Sequence, residues 1–221
     1  MIFVVSPHLD DAVLSVGEWI YRERAAGVHV ITLFAKAPTH GRVTPYDEAR
    51  GFSSSAQAVR ARIAEDDAAI AALGATPVRF PYLDGQYIDE RTERTTKEIG
   101  DRLAAHIDAI GGVLLFPLGL MHPDHALARN VALWALAASY ERISRAFAYE
   151  ELPARVLWPE LVPAQVAALG AGLDVTPELV APASEVGTRN AKRVAMHHYR
   201  SQFDDLNDPS FYVPERMWRV R

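Results

Sequence analysis

The stretch that most constrains this chain is Ser6-Pro7-His8-Leu9-Asp10-Asp11, set between the apolar run Ile2 to Val5 and an amphipathic run from Ala12 to Ala26. A buried strand stops there and a helix starts, with Pro7 stiffening the approach. Gly27 closes the helical pattern, and Val28 to Ala35, rich in β-branched and aromatic residues, reads as a second, parallel strand. The result is a βαβ unit, hence an α/β fold, and open α/β sheets place their ligands at the carboxyl ends of strands. Asp10 and Asp11 can cap the first free amides of the helix, but capping needs only one of them. The second aspartate and the nearby histidine are groups that hold a divalent cation or move a proton.

The logic of this turn returns later in the chain. Gly111 to Phe116 is a short apolar strand, Pro117 and Gly119 mark a turn, and Ala126 to Tyr140 is another apolar-striped helix. The turn carries His122-Pro123-Asp124-His125. All strand-to-helix junctions of a parallel sheet share one edge, so His8, Asp11 and His125 are expected to converge there. Two imidazoles and a carboxylate match a catalytic zinc site, whose fourth position stays open. The chain contains no cysteine, which removes disulfides and thiolate metal sites.

Pro7-His8-Leu9-Asp10-Asp11 followed by His122-Pro123-Asp124-His125 resembles the paired signatures of the LmbE-like, or PIG-L, superfamily of zinc-dependent de-N-acetylases. The resemblance extends in order through Arg62-Ile63-Ala64-Glu65 ahead of Leu73-Gly74, through Leu83-Asp84-Gly85, and to Lys192 through Gln202. Leu9 stands where the family often has proline and Ala12 where it often has glutamate; neither change touches a ligand or the candidate base. The resemblance implies a Rossmann-like three-layer fold with a mostly parallel sheet and its active site at the carboxyl edge. It implies Zn2+, with Fe2+ as the alternative, and removal of an acyl group from an N-acetylglucosamine-type conjugate. It also implies that Arg62 reaches substrate and that His198 lies near the pocket.

In such a site a zinc ion lowers the pKa of the water it binds toward about 7. Asp10 is the expected base, because successive side chains at a helix start diverge by roughly 100° and it can face the water while Asp11 faces the metal. His122 is expected to steady the oxyanion and then protonate the leaving amine. Asp124 either orients an imidazole or caps the following helix. Asp84, on the same edge as His8, either shapes its Asp-Gly turn or touches substrate. Arg62 and Glu65, three apart on a helix, also fit a solvated ion pair.

The remaining sequence sets bounds. With 221 residues, 49% of them apolar, the chain is most simply one domain, residues 1–221. A formal net charge of −5 with interspersed signs disfavours nucleic acid as a partner and fits a neutral or mildly polar small molecule better, which the family resemblance implies is an amino-sugar conjugate. There is no membrane span, and no leader pattern at the amino terminus, so a cytoplasmic location is expected; the oligomeric state is open. Lys36 to Ser55 reads as a long loop, either covering the site or merely connecting. Helices are expected over 56–73, 91–110, with His106 on the surface, and 184–203. Strands are expected over 78–82, 145–150 and 173–175, and Glu150 or Glu151 can border the pocket. The tail after Asp204 reads as irregular. Two rivals belong to other classes: a nucleotide- or S-adenosylmethionine-binding transferase, which calls for a glycine-rich first turn, and a non-catalytic sugar-binding relative, which calls for loss of Asp10 or His122.

Overall fold

A computed structural model describes residues 1–39, 41–88 and 94–221. The elements are β1 (Ile2–Ser6), α1 (Asp11–Glu23), β2 (Val28–Thr32), α2 (Pro45–Ala49), α3 (Ser55–Ala72), β3 (Thr76–Arg79) and α4 (Thr96–Asp108). There follow β4 (Gly112–Pro117), α5 (Pro123–Ala138), β5 (Ile143–Tyr149), α6 (Ala154–Leu157), α7 (Leu161–Leu173), β6 (Glu178–Val180), α8 (Val186–Met196) and β7 (Met217–Arg219). β1 is buried along its whole length, with Phe3 and Val5 in one core and Ile2 and Val4 in the other. That is the period-two alternation of a strand covered on both faces. The first core is closed by α4, α5 and α7, the second by α1, α3 and α8.

The seven strands lie in the order β3-β2-β1-β4-β5-β7-β6. The first five are parallel, while β7 runs antiparallel to both β5 and β6. From β1 the chain winds outward to β2 and β3, then returns to place β4 on the other side of β1. The order therefore reverses between β1 and β4, and their carboxyl ends flank the crevice where sheets of this kind take ligands. The turns carrying His8 and His125 are the two that leave this crevice.

The expected α/β architecture is present, and most departures from the sequence reading fall in the last third. Residues 173–175 form no strand; Leu173 ends α7, and the edge strand is Glu178–Val180. The last helix stops at Met196 rather than Phe203. The tail is not wholly irregular, because Met217–Arg219 enters the sheet between β5 and β6. A three-residue strand is too short to show a period. The tail is also tied inward by Glu215, whose carboxylate accepts from the backbone amides of Glu18 and Trp19 just after α1 breaks at Val16. Lys192 Nζ pairs with that carboxylate at 3.2 Å, and both side chains are buried. The start of the helix expected at 91 lies outside the described residues; α4 is described from Thr96. His106 is half-buried rather than a surface group, 3.3 Å from His29 and edge-on to Phe3.

Candidate active site

The turn after β1 is shaped by Ser6. Its hydroxyl accepts from the Ala12 amide at 3.1 Å and donates to the His8 carbonyl at 2.7 Å, so it caps α1 from outside the helix. Asp10 occupies the N-cap position yet makes no capping bond, and its carboxylate lines the crevice with no hydrogen-bond partner among the described residues. Asp11 Oδ2 accepts from the His8 amide at 2.8 Å, which turns the carboxylate back toward the imidazole. The capping role that sequence alone allowed for the two aspartates thus falls to a serine four residues ahead of Asp10.

In the turn after β4, the His122 side chain is itself the cap of α5, Nδ1 accepting from the Asp124 amide at 3.2 Å. Asp124 does not cap the helix. Its buried carboxylate takes His8 Nε2 at 3.0 Å, the Gly85 amide at 2.8 Å and Arg94 Nη2 at 2.8 Å. A Cβ at Gly85 would stand only 3.0 Å from Asp124 Oδ1, so glycine is what lets the Leu83-Asp84-Gly85 turn approach this group. Glu151, at the end of β5, completes the surround: Oε1 accepts from the Gly119 and Leu120 amides and faces His125 Nδ1 at 3.4 Å.

These turns bring three donor atoms together. His8 Nδ1 lies 3.2 Å and His125 Nε2 3.3 Å from the same oxygen, Asp11 Oδ2. Ligands of a tetrahedral zinc at bonds of 2.0–2.1 Å stand about 3.3 Å apart, so the cluster fits such an ion. The outward nitrogens agree with this assignment. His8 Nε2 is held by Asp124, and His125 Nδ1, buried with no hydrogen bond, faces Glu151. His8, His122 and Asp124 form a second group within ligand reach. That group is the poorer cage, because Asp124 is already engaged by Arg94, Gly85 and His8.

The electrostatics favour positive charge at this point. Burial opposes protonation of His8 and of His125, yet Asp11 with Asp124 holds the first well above its ordinary pKa, and Asp11 with Glu151 pushes the second to about 10. Burial also acts against the Asp11 carboxylate, and the two histidines overcome it, holding its pKa well below the usual range. Asp10 has no such partner: burial, reinforced by Asp11 and opposed by His8, raises it to about 7. His122 is lowered by burial and by His8. A divalent cation meets the same demand for positive charge once the imidazoles are neutral.

The cluster sits in a cavity of about 420 Å³ whose wall includes Asp10, Arg62, Asp84, His122, Trp158 and Gln202. Asp84 lies on this wall with Oδ2 3.9 Å from His8 Nε2, and it also caps its own turn through the Gln86 amide. Arg62 is there too, but locked: buried, it binds Asp47 at 2.7 Å and the Tyr87 hydroxyl at 2.9 Å. Its expected partner Glu65 instead holds Ser201. The segment expected as a loop carries α2, which is pinned through this pair, with Asp47 fully buried and Tyr46 donating to the Gln202 carbonyl. His198 does not join the site; the chain unwinds after Met196, and Gln202 and Phe203 line the cavity in its place. Of the residues read from sequence, the structure gathers His8, Asp10, Asp11, His122, His125, Asp124, Arg62 and Asp84, and leaves His198 out. Ser6 gained its part only in three dimensions, and of the two glutamates read as bordering the pocket it is Glu151 that faces His125.

The GlcNAc-PI de-N-acetylase (PIG-L) family model matches residues 3–136, which holds both turns of the crevice. No curated protein sequence matches the chain. Among solved structures, the zinc-inhibited form of teicoplanin deacetylase Orf2 is 20% identical with a TM-score of 0.76, over 99% of this chain and 97% of that one. N,N'-diacetylchitobiose deacetylase from Pyrococcus horikoshii is 16% identical, TM-score 0.57, over 92% and 71%. GalB, the 4-carboxy-2-hydroxymuconate hydratase of Pseudomonas putida, shares the fold at 21% identity and TM-score 0.57, over 91% and 79%. The family match spans more than half of the sequence and contains His8, Asp11 and His125: the chain belongs to the GlcNAc-PI de-N-acetylase (PIG-L) family.

Proposed function

We propose that the protein is a divalent-metal-dependent de-N-acetylase that removes an acetyl group from an N-acetylglucosamine-type sugar conjugate. The observation that carries this reading is the convergence of His8 Nδ1, Asp11 Oδ2 and His125 Nε2 beside the carboxylate of Asp10. His8, Asp11 and His125 would hold the cation, zinc fitting a site of this composition and ferrous iron being the alternative for two histidines and a carboxylate. When bound, the cation supplies Lewis acidity, which makes water a nucleophile near neutral pH.

The rest of the chemistry belongs to side chains. Asp10, which has no hydrogen-bond partner among the described residues, takes a proton from the water as it attacks the amide carbon. His122 Nδ1 is occupied by the Asp124 amide, so the neutral ring carries its proton on Nε2 and donates it as a hydrogen bond to the carbonyl oxygen as charge develops there. A neutral imidazole is a poor acid toward an amine, so the proton that the leaving nitrogen needs returns from Asp10. Collapse breaks the C–N bond and yields acetate and the free amino sugar. Asp124 and Glu151 keep the two histidine rings in register.

Fold alone does not choose among chemistries, and a hydratase shares this one. The test is therefore product-specific. Metal-loaded protein incubated with N-acetylglucosamine conjugates is expected to release acetate and free amine in equal amounts, and a chelator is expected to stop it. Full metal occupancy with no acetate from any N-acetylated sugar overturns the reading.

A further inference from the structure

Three large apolar side chains stand exposed around the mouth of the same cavity: Tyr46 (45%), Met121 (56%) and Trp158 (38%). They come from three separate segments, so no single local pattern put them there. Tyr46 is fixed, its hydroxyl bonded to the Gln202 carbonyl. Met121 sits at φ +59°, a left-handed conformation that a residue with a side chain adopts at a cost. Glycine would relieve that strain, yet the position presents an apolar side chain to the rim, and strain of this kind clusters at ligand contacts. The apolar surface continues past Trp158. Val156 and Pro159 lead from α6 into a second concavity of about 940 Å³, lined by Val162, Val166 and Trp218 and also by Arg155 and Arg216, both of which face the Glu150 carboxylate.

Charge points the same way. Among the described residues, Arg62 is the only Lys or Arg lining the catalytic cavity, and it is neutralised by Asp47. Asp10, Asp11 and Asp84 are the carboxylates of the wall, and its histidines, His8, His122 and His125, belong to the cluster already described. Among the described residues lining the cavity, a phosphate or nucleotide attached to the sugar would find no lysine and no arginine other than the paired Arg62.

We infer that the conjugate carries an uncharged, apolar aglycone, which lies against Tyr46, Met121 and Trp158 while the N-acetyl group enters toward His8 and His125. This rests on the de-N-acetylase reading for the position of the acetyl group, but not for the binding of the apolar group.

The experiment compares kcat/KM for acetate release from free N-acetylglucosamine, its 4-nitrophenyl and octyl glycosides, and its 1-phosphate. At least one apolar glycoside is expected to exceed the free sugar by roughly tenfold or more, through KM, with the 1-phosphate below it. The aryl arm reports the rim and the octyl arm the path into the second concavity. Met121→Gly, which also relieves the strain, and Trp158→Ala are each expected to lower the ratio of apolar glycoside to free sugar about fivefold. Val186→Ala, an exposed residue absent from both cavities, is expected to leave that ratio alone. The inference is overturned if the free sugar or the 1-phosphate is preferred, or if neither rim variant moves the ratio. Should no arm release acetate, the de-N-acetylase reading fails, and calorimetric titration of the metal-loaded protein with the two apolar glycosides decides this inference alone. Binding weakened by Trp158→Ala supports it, and absence of binding removes it.

Discussion

The turn after β1 and the turn after β4 do similar work with opposite internal arrangements. In the first, a serine outside the helix caps it, and two consecutive carboxylates are released, one toward the histidines and one toward the crevice. In the second, the histidine at the cap bonds the backbone itself, and the following aspartate reaches across to steady His8 of the first turn. Each turn is therefore incomplete alone. His8 is oriented by Asp124 from the other turn, His125 by Glu151 from a third strand, and Asp11 joins the two rings. The lesson is that the proposed ligands are local and their supports are distant, so the two classes of residue should fail differently.

The largest effect is expected at the group that joins the turns. Asp11→Ala removes the oxygen shared by His8 and His125 and leaves both rings without their common partner. Metal retained after dialysis, measured by elemental analysis, should fall to trace, and acetate release with it. Asp10→Asn, one residue away, should keep the metal and lower kcat by about 10²- to 10⁴-fold, the range of general-base catalysis. Full activity in that variant would show that the two aspartates are not divided in role. Next come the supports: Asp124→Asn and Glu151→Gln should each weaken metal affinity by roughly 10- to 100-fold in competition titrations. Asp124→Asn is expected to be the worse of the two, because it also strips Arg94 of its carboxylate at 2.8 Å. The smallest effect is expected from Ser6→Ala, which loses a cap worth about 1 kcal/mol. Thermal denaturation should register this as a drop of about 2–4 °C, and a larger loss of metal than of stability would mean that Ser6 positions His8 more than it holds α1.

Much of this molecule was legible in its sequence, and the reason is local. Apolar runs, helical periods and the two His- and Asp-bearing turns lie within short windows, so β1, α1, β2, α3, β4, α5 and β5 could be read directly, and a parallel sheet then required the turns to share an edge. The residue types capable of ligation followed from that. What could not be read was any partnership between distant segments. That Ser6 and not an aspartate caps α1, that Glu151 faces His125, that Arg62 is spent on Asp47, and that Gln202 replaces His198 at the cavity all depend on where chains cross. The insertion of β7 between β5 and β6 is of the same kind. Periodicity and composition record what one segment prefers, whereas a buried polar group must take whatever donor or acceptor the packed neighbours supply, and only the tertiary structure decides which neighbour that is.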